Sequence, residues 1–402
     1  MYKIKIAVLT LIALLIANVS VSAKGVEIID GFYKKIINRT AADGNVKLFE
    51  QHYPMINFSN GLESQYPKLT RALSTYNEEL SRAAKTERTG MIDQAREWVR
   101  ERPQYFGGFY SKNDLYIRRA DSNVVSLINS FENYSGGAHG MYGWLGVNFN
   151  SATGARLKIS DVCADANRLQ SVIIKRLYAD YDSRAFDNVE TNVTKMIAQD
   201  EIDFVIEPRG VTFIFNPYEV APYASGMLTA TIFFDEQPGL FKPLITQTTN
   251  AFAQSVPIFH PTTIERNGNR VQLSVSNEHD KCTVMLNNQR CEFHFKDIKA
   301  ATYVQTANGK NYLYIDGYAT ADGFSAVDGE SISLLKLDGE LELYDRMPYT
   351  FRHMTDYESA TDEEVFWLMT DPNSMRFDSS MPVGDMFSHI GAVNNDGTFS
   401  FG

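Results

Sequence analysis

The sequence predicts an α+β fold: a mainly antiparallel sheet with helices on one face, followed by a β-rich C-terminal domain. Three observations lead there. Apolar residues recur at three- and four-residue steps across 63–101, the period of a helix that buries one face. From Tyr105 the period falls to two, and helical spacing returns only around 160–202. Beyond residue 245 the apolar runs alternate, so the last part of the chain reads as strands and turns.

The elements follow in order. Residues 24–44 form a lead-in, with a short helix expected over 28–37. An α+β module spans 45–244. Its first helical stripe is Leu69, Leu73, Tyr76 and Leu80, continued after Gly90 by Ile92, Ala95 and Val99. Such a stripe reads as core packed on a sheet rather than as a groove for a partner. The runs 114–118 and 123–134 are rich in β-branched and aromatic residues and read as strands. The loop Ser135-Gly-Gly-Ala-His-Gly140 interrupts them, and 144–150 returns as a strand. Leu169, Val172, Ile173 and Leu177 give an amphipathic helical face, and a second helical patch lies at 193–202. Strands are expected again at 204–206, 211–216 and 228–235. Helices on one side of an antiparallel sheet bury these faces economically. Pro238, Gly239 and Pro243 mark a boundary near 245, and 245–402 is the β-rich domain. There Val271 and Leu313 begin similar units 42 residues apart, near the spacing of a propeller blade. Two or three such units are too few to close a propeller, so the domain is an irregular sheet or an incomplete propeller. One helix is expected behind the capping box Thr361-Asp-Glu-Glu364.

The 402 residues are 44% apolar and 22% charged, ordinary globular usage that excludes wholesale disorder. The net charge of −11 argues against a phosphate-backbone binder, so no nucleic-acid partner is expected. Lys3 and Lys5 precede an apolar core over 6–17, and Val21-Ser22-Ala23 closes it in the small-x-Ala form that signal peptidase reads. Residues 1–23 are therefore read as a signal peptide. The product would be exported, periplasmic or extracellular, with no stable transmembrane segment after cleavage; an uncleaved anchor is the alternative. Export bears on the cysteines. Cys282 and Cys291 flank a turn at Asn287-Asn288, and a hairpin there would bring the two sulfurs across from each other. A disulfide and a pair of buried free thiols both fit this spacing. Cys163 is left over as a small core residue.

Chemistry concentrates in two loops. In the first, Gly136, Gly137 and Gly140 leave the backbone around Tyr134, Ser135 and His139 free to take positive φ. His139 could serve as base, ligand or pH-sensitive contact, but no GxSxG, HExxH or HxxEH pattern accompanies it. The second loop is Asn216-Pro-Tyr-Glu-Val-Ala-Pro-Tyr-Ala-Ser-Gly226. Its two prolines confine φ, Tyr218 and Tyr223 carry rings with polar tips, and Asn216 and Glu219 add an amide and a carboxylate. A rigid tyrosine-bearing loop suits recognition, because little entropy is lost on binding. Tyrosines plugging the end of a sheet explain the same residues equally well. The remaining histidines do not pair at metal-ligand spacing, so no metal, cofactor or catalytic set is expected.

The run Glu132-Asn-Tyr-Ser-Gly-Gly-Ala-His-Gly140, with Gly146-Val-Asn-Phe149, Thr153-Gly154, Leu157 and Ser160-Asp161, resembles a bacterial extracytoplasmic family of unknown function. The segment from Val211 to Gly226 resembles that family's second signature. The family includes the extracellular half of RsiV-type lysozyme-sensing anti-sigma factors and the non-catalytic half of the PdaC-type peptidoglycan deacetylase. The resemblance covers residues 45–240 and implies an exported binding module. It implies no activity, since neither a cytoplasmic segment nor a deacetylase domain accompanies it here. Three readings are open, one of them purely structural, with the C-terminal β-rich region as an assembly surface; the other two are functions. In the first, Tyr134, Ser135, His139, Asn216, Tyr218, Glu219 and Tyr223 bind a protein such as lysozyme or a cell-wall glycan. In the second, His139 serves a hydrolase acting on envelope glycan or ester, which requires a concave pocket with a second polar group in reach.

Overall fold

The computed structural model describes residues 28–39, 47–58, 62–319 and 329–348, apart from 183, 185, 267 and 307, together with five short strands between 354 and 401. The expected signal peptide lies outside these residues.

The helical stripe near the N-terminus becomes one helix, α1 (Pro67–Glu101), which opens on Pro67 and runs through Gly90 without a break. Leu69, Leu73 and Tyr76 are buried on its inner face. They pack on a sheet whose neighbouring strands run β1 (Ile28–Arg39), β2 (Lys47–Phe58), β3 (Phe109–Ala120), β4 (Val124–Tyr134) and β5 (Met141–Asn150). The pleat decides what each face carries. Leu115, Ile117, Val125, Leu127 and Phe149 meet α1, while Tyr116, Ile128 and Trp144 point the other way.

That second face receives another sheet, the three strands β6 (Asp203–Ile206), β7 (Gly210–Phe215) and β8 (Leu228–Phe233). Val205 and Ile214 pack against Ile128 and Trp144 between the two sheets. Phe204, Phe213, Phe215 and Ile232 turn outward and are covered by α2 (Ala166–Asp180) and α3 (Val189–Ala198), through Leu169, Ile173, Leu177 and Val193. The antiparallel α+β character expected from the periodicity is present, and each sheet carries helices on one face. The pattern pointed to a single sheet, however, and the chain builds two, stacked helix–sheet–sheet–helix. The sheets approach so closely that a Cβ on Gly146 would fall 2.0 Å from the Phe204 carbonyl oxygen. Polar residues bridge them: Ser126 Oγ accepts from the Ile206 amide at 2.8 Å, and Asn148 Nδ2 donates to the Phe204 carbonyl at 2.8 Å.

Two expected helices are strands. Residues 28–39 pair with β2 on one side and with the strand Thr361–Phe366 on the other. The register sets Lys34 opposite Glu363 and Lys35 opposite Asp362. A ladder with a partner on each side outweighs the local capping-box and helical signals, which are worth little on their own.

After residue 245 the chain forms an antiparallel sheet in the order β10 (Thr262–Arg266), β11 (Asn269–Glu278), β12 (Lys281–Leu286), β13 (Gln289–Gln305), β14 (Asn311–Ala319), β15 (Gly329–Lys336) and β16 (Glu342–Pro348), with β9 (Phe252–Ser255) added to β13. Its concave face holds a separate core of Leu273, Val284, Phe295, Tyr303 and Leu313. The expected hairpin is there, and Asn287 takes the left-handed turn conformation, φ 51°. Its register places Cys282 opposite Phe293 and Cys291 opposite Val284. The sulfurs therefore sit on a diagonal rather than directly across the ladder, and no disulfide joins them.

Buried arginines fasten this region to the first. Arg118 Nη2 donates to Glu207 at 2.7 Å, and its Nη1 donates to the Ser255 carbonyl. Arg119 donates to the carbonyls of Ile245 at 2.6 Å and Gln247 at 2.8 Å.

Candidate functional site

Both sequence-selected loops lie at one end of the stacked sheets, and they touch. The first connects β4 to β5. Gly136 and Gly137 both adopt φ 97°, and the ring of Trp98 lies where a side chain on Gly136 would have to go. Tyr134 donates through its hydroxyl to the Gly137 carbonyl at 3.1 Å, and Gln94 Nε2 reaches the Ser135 carbonyl at 3.4 Å. These contacts fix the loop. Tyr134 therefore shapes the loop through its hydroxyl, and Ser135 through its backbone carbonyl.

The second loop connects β7 to β8 and closes over the first. Tyr223 stacks on His139 with ring centroids 4.1 Å apart, and its hydroxyl donates to the Gly140 carbonyl at 2.8 Å. His139 Nδ1 lies 2.9 Å from the same carbonyl. Tyr223 thus covers one face of the histidine ring, and the residue is otherwise exposed. Tyr142 meets Tyr223 edge-on at 5.7 Å, and Tyr218 lies 5.7 Å from it on another side.

Asn216 and Glu219 turn inward. Asn216 Oδ1 accepts from the Trp144 amide at 2.7 Å, and its Nδ2 donates to the Trp144 carbonyl at 3.0 Å, capping the free edge of β5. Glu219 Oε2 accepts from the Asn216 amide at 2.7 Å. Burial pushes the Glu219 carboxyl up, and the neighbouring Asp203 carboxylate adds to the shift. Asp203, half-buried against the same edge where it accepts from the Gly146 amide at 3.2 Å, is pushed up by desolvation to about 6. The loop's polar residues are therefore scaffold. Tyr218 is what the scaffold presents: it is 60% exposed and sits at φ 76°. A bulky residue in the left-handed region is held there only by its surroundings.

Beside the loops, one face of the large sheet carries residues the sequence reading missed. The registers align Lys112, Glu132 and Tyr142 in one row across β3, β4 and β5, and Asp114, Ser130 and Trp144 in the next. Tyr110 donates to Glu132 at 2.6 Å, which pushes the phenol up to about 12, and the Lys112 ammonium lies 5.2 Å above the Tyr110 ring. Asp114 keeps 44% of its side-chain surface, yet the surrounding protein desolvates its carboxyl and pushes it up to about 6. His52 approaches it at 4.0 Å. Across Trp144, His260 packs edge-on at 4.9 Å, and burial lowers its pKa. Its neighbour Phe259 is 58% exposed at φ 69°. Alternation at 110, 112 and 114 was readable as one strand face. The prolines of Pro257-Ile-Phe-His-Pro261 frame aromatic residues just as Pro217 and Pro222 do. Among the described residues no group of His, Cys, Asp and Glu could hold a metal ion.

Residues 160–235 match a family described as "Protein of unknown function (DUF3298)". That segment holds α2, α3, β6 to β8 and the second loop, but not the first. No curated protein matches the chain. Among solved structures, a DUF3298-family protein from Bacteroides fragilis is similar at 16% identity and TM-score 0.40, covering 55% of this chain and 96% of its own. A DUF3298-family protein from Pseudomonas aeruginosa is similar at 16% identity and TM-score 0.34, covering 53% of this chain and 95% of its own.

Proposed function

We propose that the protein is an exported cell-envelope binding module that captures a protein such as lysozyme or a peptidoglycan component at the joined loops. The observation that carries this reading is Tyr218, an exposed aromatic ring held in a strained backbone conformation by a hydrogen-bonded loop. Strain retained at an exposed ring serves contact with something outside the chain. The leader pattern of residues 1–23 supports export, and the RsiV-type and PdaC-type resemblance of the two loop motifs supports a binding role. The contact of His139 with Tyr223 favours binding over hydrolysis. The purified chain is to be titrated with lysozyme and co-sedimented with peptidoglycan sacculi. Capture of one of them is expected, weakened about thirtyfold by Tyr218→Ala, the effect of losing about 2 kcal/mol at an interface centre. No capture of either, or capture unchanged in Tyr218→Ala, overturns the reading.

A further inference from the structure

We propose that the binding surface is composite and takes a glycan chain: the Lys112–Glu132–Tyr142 row of the large sheet, with the half-buried Asp114 and Ser130 beside it, forms its floor, the 216–226 loop one rim, and the 256–262 segment of the β-rich region the other. This deepens the binding reading above and rests on it.

Seven described non-glycine residues have positive φ, and five are Asn, Asp or His, the types that tolerate it. The other two are Tyr218 and Phe259, which are also the most exposed of the large apolar side chains among the described residues, at 60% and 58%. They lie on either side of the boundary near residue 245, yet both adjoin the same strip of β5. Tyr218 reaches it through Tyr223 and Tyr142, and Phe259 through its neighbour His260 on Trp144. The Tyr116 hydroxyl also bonds the backbone of Ile258, so the second rim is fixed to the sheet and not merely close to it. The buried Arg118 and Arg119 contacts hold the halves together behind it.

The floor between the rims is polar. Lys112 and Glu132 with Tyr142, then Asp114 and Ser130, supply donors and acceptors of both kinds. Three strands span about 10 Å and two rows about 7 Å. That is narrower than a helix with its side chains, about 10–12 Å. An extended peptide would add to the free edge of β5, but Asn216, Asp203 and the Leu157 amide already occupy its backbone groups. Sugar rings in single file fit what is left. Their hydroxyls pair with the floor and the Tyr218 hydroxyl, and their C–H faces lie on the apolar rings of Tyr218 and Phe259.

The test is calorimetric titration of the full chain with a soluble chitooligosaccharide. Binding is expected, weakened about tenfold or more by Phe259→Gly and by Tyr218→Gly, about 1.4 kcal/mol each. Glycine is chosen because it accepts the positive φ at both positions, so folding is preserved. Glu132→Gln should weaken binding as well, which a purely apolar contact would not show. Absence of sugar binding while lysozyme is still captured overturns the glycan inference and leaves the binding module standing. Sugar binding lost in Tyr218→Gly but unchanged in Phe259→Gly overturns the composite surface alone.

Discussion

Tyr218 separates the strain of the loop from its use. Two substitutions remove the same ring and differ only in backbone freedom. In Tyr218→Ala the residue still has a Cβ at φ 76°, a conformation that destabilises a non-glycine residue by roughly 1–2 kcal/mol. In Tyr218→Gly that strain is gone, offset by roughly 0.5–1 kcal/mol of extra unfolded-state entropy. Both substitutions remove the tilted ring pair with Tyr223 at 5.7 Å, so its contribution cancels between them. Tyr218→Gly should therefore be more stable than Tyr218→Ala by about 0.75 kcal/mol, the difference between the middles of these ranges, while both weaken ligand capture to the same degree. Urea unfolding of the two variants, compared at a common slope, measures the difference. The hydrogen bond from the Tyr218 amide to the Ala221 carbonyl, at 2.9 Å, is available in both, so the turn should survive. If the glycine variant proves equal to or less stable than the alanine variant, the loop is not strained at this position, and the argument from strain to presentation fails.

Three further perturbations test the scaffold. Asn216→Ala orphans the amide and carbonyl of Trp144 and should cost about 2–3 kcal/mol in urea unfolding, two hydrogen bonds at roughly 1–1.5 each; a loss under about 0.5 would mean the edge of β5 is not capped there. Asp203 has a carboxyl raised by burial from 3.8 to about 6, so the folded state holds its proton longer than the unfolded chain and stability should fall as pH rises through that window. Asp203→Asn should flatten this decline and raise the melting temperature at neutral pH; an unchanged pH slope would assign the decline to another group. Glu207→Ala leaves the Arg118 guanidinium buried without its carboxylate and should destabilise by roughly 3–5 kcal/mol, whereas a near-neutral result would show that water reaches the seam.

The periodicity made the fold class legible because α1 and the strands each bury a face, and burial writes a regular spacing into sequence. Leu69, Leu73 and Tyr76 are buried against the sheet as that spacing requires. The stacking of two sheets was not legible. Residues between them, such as Ser126, Asn148 and Gly146, are polar or small because the sheets meet through hydrogen bonds and a close backbone approach there. In a sequence such residues resemble an exposed strand face. The strand at 361–366 was hidden for a different reason: it pairs with 28–39 across more than 300 residues, beyond any local signal.

The site divides along the same physical line. The two loops were visible because Gly and Pro mark backbone that must take unusual φ, and both loops do so here. The same reading treated Asn216, Glu219, Tyr218 and Tyr223 as equivalent, since sequence records residue type and not direction. Asn216 and Glu219 commit their polar groups to β5 and to the loop itself. Tyr223 commits its ring to His139 and its hydroxyl to Gly140. Of these four, Tyr218 is the one left to face outward, and its exposure follows from the other three being engaged. Phe259 repeats the arrangement in a segment with the same proline framing, where Ile258 and His260 are the members anchored to the sheet. A proline-bracketed aromatic in a loop is thus ambiguous alone. It becomes informative once the neighbours that could have buried it are seen to be engaged elsewhere.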